Sequence, residues 1–315
     1  MHAPVLFVDF SSDNSVRMTL AERGRRPPPA DLYHCASLAE LDGALGDYLA
    51  KCGAPDLMGA AFSVCGWERD GGFDMPNHSY RIERDWIKTR LNIFRLNLVN
   101  DCVATALAIE RLQPSERTVI CDGNADDTQM KAMIAVGRGL GTTCIFTDET
   151  GGILAQPCAG GHTDLPATND REFQVIKSLS NIYGHVSRVR GVSTAGLIDV
   201  FNALDVLDGR PARRATAVDI VALVRAGDST ALEAVKLVTG WLAATASDTA
   251  LSIGARGGIF LAGSFFDVLG DQFDKAAFAA RFCDKGRLTG FLQDIPVYLM
   301  TMSEPEMVGL STLFE

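Results

Sequence analysis

The stretch of sequence that decides the fold runs Leu96-Asn97-Leu98-Val99-Asn100-Asp101-Cys102-Val103-Ala104-Thr105-Ala106-Leu107. Its first part alternates loosely between apolar and polar residues, and its second part repeats apolar residues at helical spacing. It therefore predicts a strand that ends at Asn100 and a helix that follows, a junction at which α/β proteins commonly place catalytic groups. Asp101 fits two roles there, a helix N-cap or a catalytic carboxylate. This stretch by itself leaves both roles open.

The composition of the whole chain is that of a globular protein. The chain has 315 residues, of which 47% are hydrophobic and 22% charged, so we expect two domains or one large α/β unit. Its formal charge of −10 argues against nucleic acid as a partner, because phosphate backbones require clustered basic residues. Arginines cluster only within residues 23–26 and 210–214, in turn-rich sequence that predicts solvated loops.

The cysteines and the apolar runs predict the cellular compartment in which the protein resides. None of the eight cysteines forms a Cys-x-x-Cys pair, and several lie in apolar runs, which predicts buried free thiols in a reducing environment. Cys158, His162 and His185 lack the spacing of metal ligands, so no metal site is predicted. The chain opens without a basic leader, and no apolar run approaches the roughly twenty residues of a membrane helix. We therefore expect a cytoplasmic protein without a membrane partner.

The predicted elements follow a mixed-sheet α/β order. A hairpin opens the chain, helices and strands then alternate as far as residue 112, and a polar excursion at 75–78 interrupts them. The same order resumes at Thr118 and is enlarged by helices. The predicted strands are 5–10, 16–20, 31–36, 57–64, 96–100, 118–121, 133–136, 144–147, 258–263 and 295–300. The predicted helices are 38–49, 84–91, 101–112, 172–183, 197–207, 217–226, 231–253 and 304–314.

Glycine-rich segments are candidates for ligand binding. The turns at 137–141 and 258–263 let backbone N–H groups approach a phosphate, although each also fits a turn whose glycines serve only its geometry. The segment Gly160-Gly161-His162-Thr163-Asp164 is more specific, because it holds an imidazole between a glycine pair and a carboxylate. His185 fits a second site histidine or, as the favoured interpretation, a residue at a helix C-terminus.

Taken in order, these pieces resemble the bacterial glucokinases, members of the sugar-kinase, heat-shock-protein and actin superfamily. The resemblance covers almost the whole chain and implies an α/β fold of the two-lobed actin-like (ribonuclease H-like) sugar-kinase type. Mixed sheets flanked by helices are expected, with a small lobe at 1–112 completed by the helix 301–315, and a larger, helix-rich lobe at 113–300. The matching motifs are Pro76-Asn77-His78, Val99-Asn100-Asp101, Gly139-Leu140-Gly141, Gly160 to Asp164, Gly184-His185-Val186-Ser187, Asp284-Lys285-Gly286-Arg287 and Asp294 to Leu299.

The resemblance implies transfer of the γ-phosphoryl group of ATP, with Mg²⁺, to the 6-hydroxyl of glucose or a related sugar in a cleft between the lobes. Asp101 matches the family's general base, and Asn100, Gly161 and His162 match its sugar-binding residues. Sugar and ATP are thus the implied partners, and the resemblance is compatible with a homodimer. The implied nucleotide-binding residues are Asp9, Asn14, Gly137, Arg138, Gly139, Gly141, Gly263 and Ser264.

The chain departs from the family pattern around these residues. The family's first phosphate loop, Asp-x-Gly-Gly-Thr-Asn, reads Asp9-Phe10-Ser11-Ser12-Asp13-Asn14 here, so the glycine pair that lets the backbone approach a phosphate is missing. The two sugar-binding glutamates fall on Ala159 and on Ile182, or Tyr183 in a shifted alignment. Two hypotheses follow. The chain is a hexose kinase with altered substrate preference, or it is a catalytically impaired homologue that acts as a sugar-responsive or regulatory binding protein.

Overall fold

The computed structural model describes residues 3–148 and 152–315, which form two compact units. Unit 1 comprises the chain up to Pro114 together with Met302–Glu315, and unit 2 comprises Ser115–Thr301. Within the described residues, no helix combines the length and the apolar character that crossing a membrane requires.

Unit 1 is built on a five-stranded mixed sheet and a small three-stranded sheet. Its elements up to Pro114 are β1 (Val5–Asp9), β2 (Ser15–Ala21), β3 (Asp31–His34), α1 (Leu38–Lys51), β4 (Gly59–Val64), β5 (Glu68–Arg69), β6 (Gly72–Asp74), β7 (Arg81–Glu83), α2 (Arg84–Leu91), β8 (Leu96–Asn100) and α3 (Asp101–Leu107). In the larger sheet the order is β3-β2-β1-β4-β8, with the first three strands antiparallel and the last two parallel to β1.

Strand β1 is buried along its whole length, and its residues 5–8 are all apolar, because the sheet is covered on both faces. Leu6 and Val8 belong to the core that includes α1, whereas Val5 and Phe7 belong to a second core with residues of α3 and the chain's last helix. Successive side chains of a strand point to opposite faces, so covering both faces removes the polar alternation.

The segment 75–78, predicted as a polar excursion between elements, is largely buried in the structure. The strands β5, β6 and β7 form an antiparallel sheet around it, and Asn77 and His78 are buried. The Asn77 side-chain amide donates to the Phe10 carbonyl at 2.6 Å, and the His78 ring packs edge-on against Phe10 and Tyr80. These polar residues are internal because they support the turn after β1.

Unit 2 is built on a six-stranded sheet of order β12-β11-β10-β13-β14-β9. Its elements are β9 (Arg117–Cys121), β10 (Lys131–Val136), β11 (Leu140–Thr147), β12 (Ile153–Cys158), α4 (Asp170–Tyr183), α5 (Arg188–Gly191), α6 (Thr194–Leu207), α7 (Ala217–Arg225), α8 (Ser229–Ile253), β13 (Gly258–Ala262), α9 (Phe265–Leu269), α10 (Lys275–Cys283), α11 (Thr289–Gln293) and β14 (Val297–Met300). The chain ends with α12 (Pro305–Thr312), which belongs to unit 1.

The two larger sheets repeat one topology. In each, an antiparallel three-stranded meander is continued by two strands parallel to its first strand, namely β4 and β8 in unit 1 and β13 and β14 in unit 2. Unit 2 adds β9 antiparallel at one edge and carries most of the helices. This repeated order confirms the predicted actin-like fold class with a larger, helix-rich second part.

One of the arginine-rich loops differs from its prediction. The segment 210–214 lies in a loop, but Arg210 and Arg213 are not simply solvated, since both donate to the fully buried carboxylate of Asp205 on α6. Arg213 also pairs with Asp228, the N-cap of α8, at 2.6 Å. The loop therefore ties α6 to the start of α8, because a buried carboxylate needs charged hydrogen-bond donors.

Candidate active site

At the junction between β8 and α3, the N-cap residue is Asn100 and not Asp101. Asn100 ends β8, its Oδ1 accepts from the Cys102 N–H at 3.0 Å, and its Nδ2 donates to the Gly66 carbonyl at 2.8 Å. Asp101 is the first residue of α3, and its Oδ1 accepts from the same N–H at 2.8 Å. Asn100 is therefore the N-cap residue, and Asp101, one position later, shares the same N–H through one of its two carboxylate oxygens.

Removal of the Asn100 cap should cause a measurable loss of stability. We expect Asn100→Ala to lower the free energy of unfolding by about 1 kcal/mol, because the first turn of α3 loses the N-cap acceptor and keeps only the Asp101 carboxylate on the Cys102 N–H. Thermal denaturation measures the change. Asn100→Ser is the matched control, since serine is also a capping residue, and it should recover part of the loss. An unchanged melting temperature in Asn100→Ala would contradict the assigned cap.

The environment of Asp101 makes its carboxyl group a weaker acid than usual. Burial raises the pKa of Asp101 to about 6, against the opposing effect of the Cys102 N–H, and the nearby carboxylate of Asp9 raises it further. The Cys65 thiol also hydrogen-bonds to the Asp101 carboxylate and lowers its pKa. A carboxylate whose pKa lies closer to neutrality accepts a proton more readily, which suits a general base.

A cluster of charged side chains lies beside Asp101 in unit 1. Arg17 Nη2 donates to Asp9 Oδ2 at 2.7 Å, to Ser11 Oγ at 3.0 Å and to Glu306 Oε2 at 3.3 Å. Burial lowers the pKa of Arg17, but Asp9 and Glu306 outweigh it, so the net shift is upward. Burial raises the pKa of Glu306, and Asp9 adds to that effect. Arg17 is thus the cation that joins the buried carboxylate of Asp9 to the half-buried carboxylate of Glu306.

Sequence reasoning missed Arg17 and Glu306. The two residues are 289 positions apart, so no local pattern connects them. They meet because α12 returns to the sheet of unit 1, where Glu306 faces the ends of β1 and β2. The only local signal is that Arg17 lies between the buried residues Val16 and Met18 in β2.

The predicted nucleotide residues of unit 1 are engaged in internal hydrogen bonds. Asp9 accepts from the backbone N–H and the hydroxyl of Ser11 and twice from Arg17. Asn14 has a left-handed φ of 46°, and its backbone donates to the Asn77 carbonyl and accepts from the Cys35 N–H. The loop from β1 to β2 is therefore held by its own side chains and by the segment around Asn77.

In unit 2 the two predicted glycine turns are brought together. Strands β10 and β13 are parallel neighbours, so the turns at their carboxyl ends adjoin. A Cβ on Gly137 would lie 3.4 Å from Ser264 Oγ, and a Cβ on Gly263 would lie 2.3 Å from the Val136 carbonyl. Gly263 also has a φ of +106°, which L side chains rarely adopt. The close approach of these chain segments thus requires glycine at 263.

The turn itself is shorter than the predicted range of 137–141. The Gly137 N–H donates to the Gly139 carbonyl at 3.0 Å, and Leu140 and Gly141 already belong to β11. Arg138 lies exposed at the tip of this turn. Gly141 is therefore a strand residue, paired with Ala135, instead of a turn residue.

The histidine segment packs against the start of the same strand. Gly160–His162 forms a 3-10 turn, and a Cβ on Gly161 would lie 2.2 Å from the Leu140 carbonyl. The Gly160 N–H donates to Thr142 Oγ1 at 3.1 Å. His162 is exposed. Unit 2 therefore places the backbone of the histidine segment next to the start of β11, since Gly161 packs on Leu140, the residue that follows the turn.

His185 follows the C-terminus of α4, as the favoured interpretation expected, and its ring also contacts the histidine segment. Its Nε2 lies 2.8 Å from Asp164 Oδ1, although both side chains are largely exposed. The positions of the two family glutamates hold no carboxylate. Ile182 is 68% exposed near the end of α4, and Tyr183 donates its hydroxyl to Asp199 at 2.7 Å.

Comparison with known proteins assigns a family to this fold and site. The model of the glucokinase family matches residues 14–315, and the chain therefore belongs to the glucokinase family. It is 34% identical to a glucokinase of Pseudomonas paraeruginosa, over 91% of this chain and 86% of that protein. It is 36% identical to a glucokinase-like protein of Caulobacter vibrioides, over 93% of this chain and 90% of that protein.

A solved structure supports the fold independently. The glucokinase from an Antarctic psychrotroph superposes with a TM-score of 0.89 at 23% identity, covering 100% of this chain and 99% of that chain. At this level of identity the likeness concerns the fold, which confirms the actin-like sugar-kinase class that the sequence motifs predicted.

Proposed function

We propose that this protein transfers the γ-phosphoryl group of ATP to the 6-hydroxyl of glucose or a related hexose, with Asp101 as the general base. The observation that carries the proposal is Asp101 itself, a half-buried carboxylate that begins α3 at the carboxyl end of β8, next to the N-cap residue Asn100, with one oxygen held by the Cys102 N–H. Membership of the glucokinase family and the names of its relatives supply the reaction class.

Asp101 would act on the sugar hydroxyl. The Cys102 N–H holds one carboxylate oxygen at 2.8 Å and fixes the orientation of the group. A primary hydroxyl within hydrogen-bond distance of this carboxylate can pass its proton to it as the phosphoryl group arrives, which makes the oxygen a better nucleophile. The raised pKa of Asp101 favours that transfer.

Asn100, Gly161 and His162 are proposed to contact the sugar. The side-chain amide of Asn100 has already used one acceptor site on Cys102 and one donor on Gly66. An asparagine amide offers two donors and two acceptor sites, so it retains one of each for a sugar hydroxyl. His162 is exposed at the end of the 3-10 turn whose Gly161 packs on Leu140, so its imidazole is accessible to a ligand.

The turns of unit 2 are proposed to bind the nucleotide. Gly137, Gly139, Gly263 and Ser264 bring backbone and hydroxyl groups to the ends of β10 and β13, where glycine lets a phosphate approach closely. Gly141 lies beside them in β11, paired with Ala135. The guanidinium of Arg138 at the tip suits phosphate oxygens, since its planar donors match them. In unit 1, Asp9 and Asn14 keep the shape of the first loop.

Mg²⁺ would arrive with ATP. Among residues 3–148 and 152–315, no cluster of three or more acidic, histidine or cysteine side chains has the geometry of a metal site. Asp9, the carboxylate at the start of the first loop, is occupied by Arg17 and Ser11. When bound to ATP, Mg²⁺ neutralises phosphate charge, and the proposal assigns no protein residue to hold it.

A sugar-responsive binding protein is the second candidate. The observation that favours it is the first loop, where Ser11 and Ser12 replace the glycine pair and the serine hydroxyl bonds to Asp9. Ala159 and Ile182 remove two acceptors for sugar hydroxyls, and a site that depends on such hydrogen bonds loses affinity with each one. Such a protein would bind ligands without turning them over.

A coupled assay of ADP release with Mg-ATP separates the two candidates. Glucose, mannose, glucosamine and N-acetylated sugars are tested with the wild type and with Asp101→Ala. Sugar-dependent ADP release in the wild type alone supports the kinase. If no sugar raises ADP release above the Asp101→Ala background, the kinase proposal fails, and calorimetry with sugars and nucleotides then tests the binding protein.

The pKa of Asp101 predicts the pH dependence. The carboxylate form is required to accept a proton, so kcat/KM should rise with pH through about 6 and level off above it. A steady-state profile with glucose from pH 4.5 to 8.5 measures this limb, with the stability of the protein checked at each pH. A profile that is flat down to about pH 5 would contradict the assignment, since an ordinary aspartate titrates near 4.

A further inference from the structure

Two cysteine thiols lie next to one another on the β11–β12 hairpin of unit 2. Cys144 Sγ is 3.6 Å from Cys158 Sγ, and both cysteines are free. In the register of the two strands Thr142 pairs with Cys158 and Cys144 with Gln156, so the cysteines are diagonal neighbours on adjacent antiparallel strands. Their sulfur atoms are already in van der Waals contact.

The two thiols differ in accessibility. Cys144 is buried, and burial together with the neighbouring thiol raises its pKa to about 12. Cys158 is half-buried near the end of an edge strand and donates its S–H to the Gln156 carbonyl at 3.4 Å. A small reagent therefore reaches Cys158 first, and Cys144 is placed behind it as a second thiol.

We infer that Cys144 and Cys158 form an oxidisable dithiol site that a low-molecular-weight disulfide converts to an intramolecular disulfide. In the first step the Cys158 thiolate attacks one sulfur of the reagent and releases one thiol. In the second step Cys144 attacks the Cys158 sulfur of this mixed disulfide and releases the second thiol. The two cysteines together lose two electrons and two protons, which the reagent takes up as its two thiols.

The bond requires only a local movement. Disulfide sulfurs are about 2.05 Å apart, so the two atoms must approach by roughly 1.5 Å. Cys144 lies inside the sheet, whereas β12 is its edge strand and contains Pro157, which has no backbone N–H to bind a neighbour. The edge strand is therefore the part that moves.

This movement bears on the histidine segment. Thr142 Oγ1 donates to the Cys158 carbonyl at 3.1 Å and accepts from the Gly160 N–H at 3.1 Å, so one hydroxyl joins the end of β12 to the turn of His162. A shift of Cys158 changes that chain of hydrogen bonds. The consequence for sugar binding rests on the proposed function, whereas the dithiol site does not.

Mapping the disulfide in the full-length protein tests the site. The protein is treated with oxidised glutathione, its remaining thiols are alkylated, and it is digested with trypsin. Both cysteines then lie on one peptide, residues 139–171, which contains no internal Lys or Arg. A glutamate-specific protease cuts this peptide after Glu149, its only glutamate. We expect residues 139–149 and 150–171 to stay joined until a reductant is added.

Single variants identify the partners. Cys144→Ser and Cys158→Ser should each abolish the joined fragment, whereas Cys52→Ser, at an exposed cysteine, should retain it. The inference is overturned if the halves separate without reductant, if Cys158 carries only glutathione, or if the new disulfide joins other cysteines such as Cys121 and Cys283. These readouts need no activity, so they stand even if the kinase proposal fails.

The effect on the sugar site is measured separately. In protein shown to carry the disulfide, we expect the KM for glucose to rise about fivefold, as for one weakened hydrogen bond, and to recover on reduction. The KM of Cys158→Ser should not respond to the same treatment. An unchanged KM in the cross-linked wild type would overturn this consequence, while the mapped disulfide itself would remain.

Discussion

We expect Asp101→Asn to lower kcat with glucose by about 10²- to 10⁴-fold, the usual contribution of a positioned general base. Asparagine keeps an oxygen for the Cys102 N–H, so the start of α3 is preserved, but an amide does not accept the proton of the hydroxyl. Single-turnover and steady-state assays measure the loss. Glucose binding, followed by calorimetry, should change much less, because the residues proposed to contact the sugar, Asn100, Gly161 and His162, remain.

The same variant has a stability signature. Folding raises the pKa of the Asp101 carboxyl, so the folded state favours its protonated form. The folded state therefore loses stability as the pH rises from about 4 through 6 and the carboxyl ionises. At pH 7.5 Asp101→Asn removes this cost and should raise the free energy of unfolding by up to about 3 kcal/mol, with little difference from the wild type near pH 4. A catalytic loss without a stability loss separates the base from a structural residue.

Asp85→Asn is the matched control. Asp85 is also an aspartate in the first turn of a helix of unit 1, but it is exposed on α2. This variant should keep the activity of the wild type. The assignment of the base fails if Asp101→Asn retains most of its kcat.

The second large effect is expected at Gly309, where α12 crosses α3. A Cβ at this position would lie 1.7 Å from the Ala104 carbonyl and 3.0 Å from the Ala108 backbone nitrogen. Neither group is the end of a flexible side chain, so the helices must separate. We expect Gly309→Ala to lower the free energy of unfolding by about 3 kcal/mol, the upper range for overpacking a well-packed contact. Thermal and urea denaturation measure it.

Gly43→Ala is the matched control for this variant. Gly43 lies in the middle of α1 in the same unit, and a Cβ there would meet no atom within 4 Å. Alanine favours a helix over glycine by up to about 1 kcal/mol, so Gly43→Ala should stabilise the protein. A Gly309→Ala variant that melts at the wild-type temperature would show that α12 and α3 do not pack as closely as described.

The predicted elements agree with the structure where an apolar period extends over a whole element. The strands around β1, β4, β8 and β13 and the long helix α8 are examples, because each buries a continuous or strongly periodic set of side chains. Elements without such a signal were missed. The edge strand β12, with a proline and alternating exposure, and the short helices α9, α10 and α11 belong to this group.

The site shows a similar division. The sequence pointed to the junction of Asn100 and Asp101, but it did not decide which residue caps the helix. The hydrogen bonds of Asn100 to Cys102 and Gly66 decided it. The roles of Asp101, Asn100, His162 and the glycine turns in binding and catalysis remain predictions for the assays described above.

By itself the sequence determined the family and the fold class, because ordered motifs and the periods of burial are properties of local sequence. Only the tertiary structure joined Arg17, Asp9 and Glu306 into one cluster and placed Cys144 beside Cys158. The physical reason is that these contacts depend on which strands pair and on where α12 returns. Burial, together with the nearby carboxylate of Asp9, also raises the pKa of Asp101, the residue on which the proposed chemistry depends.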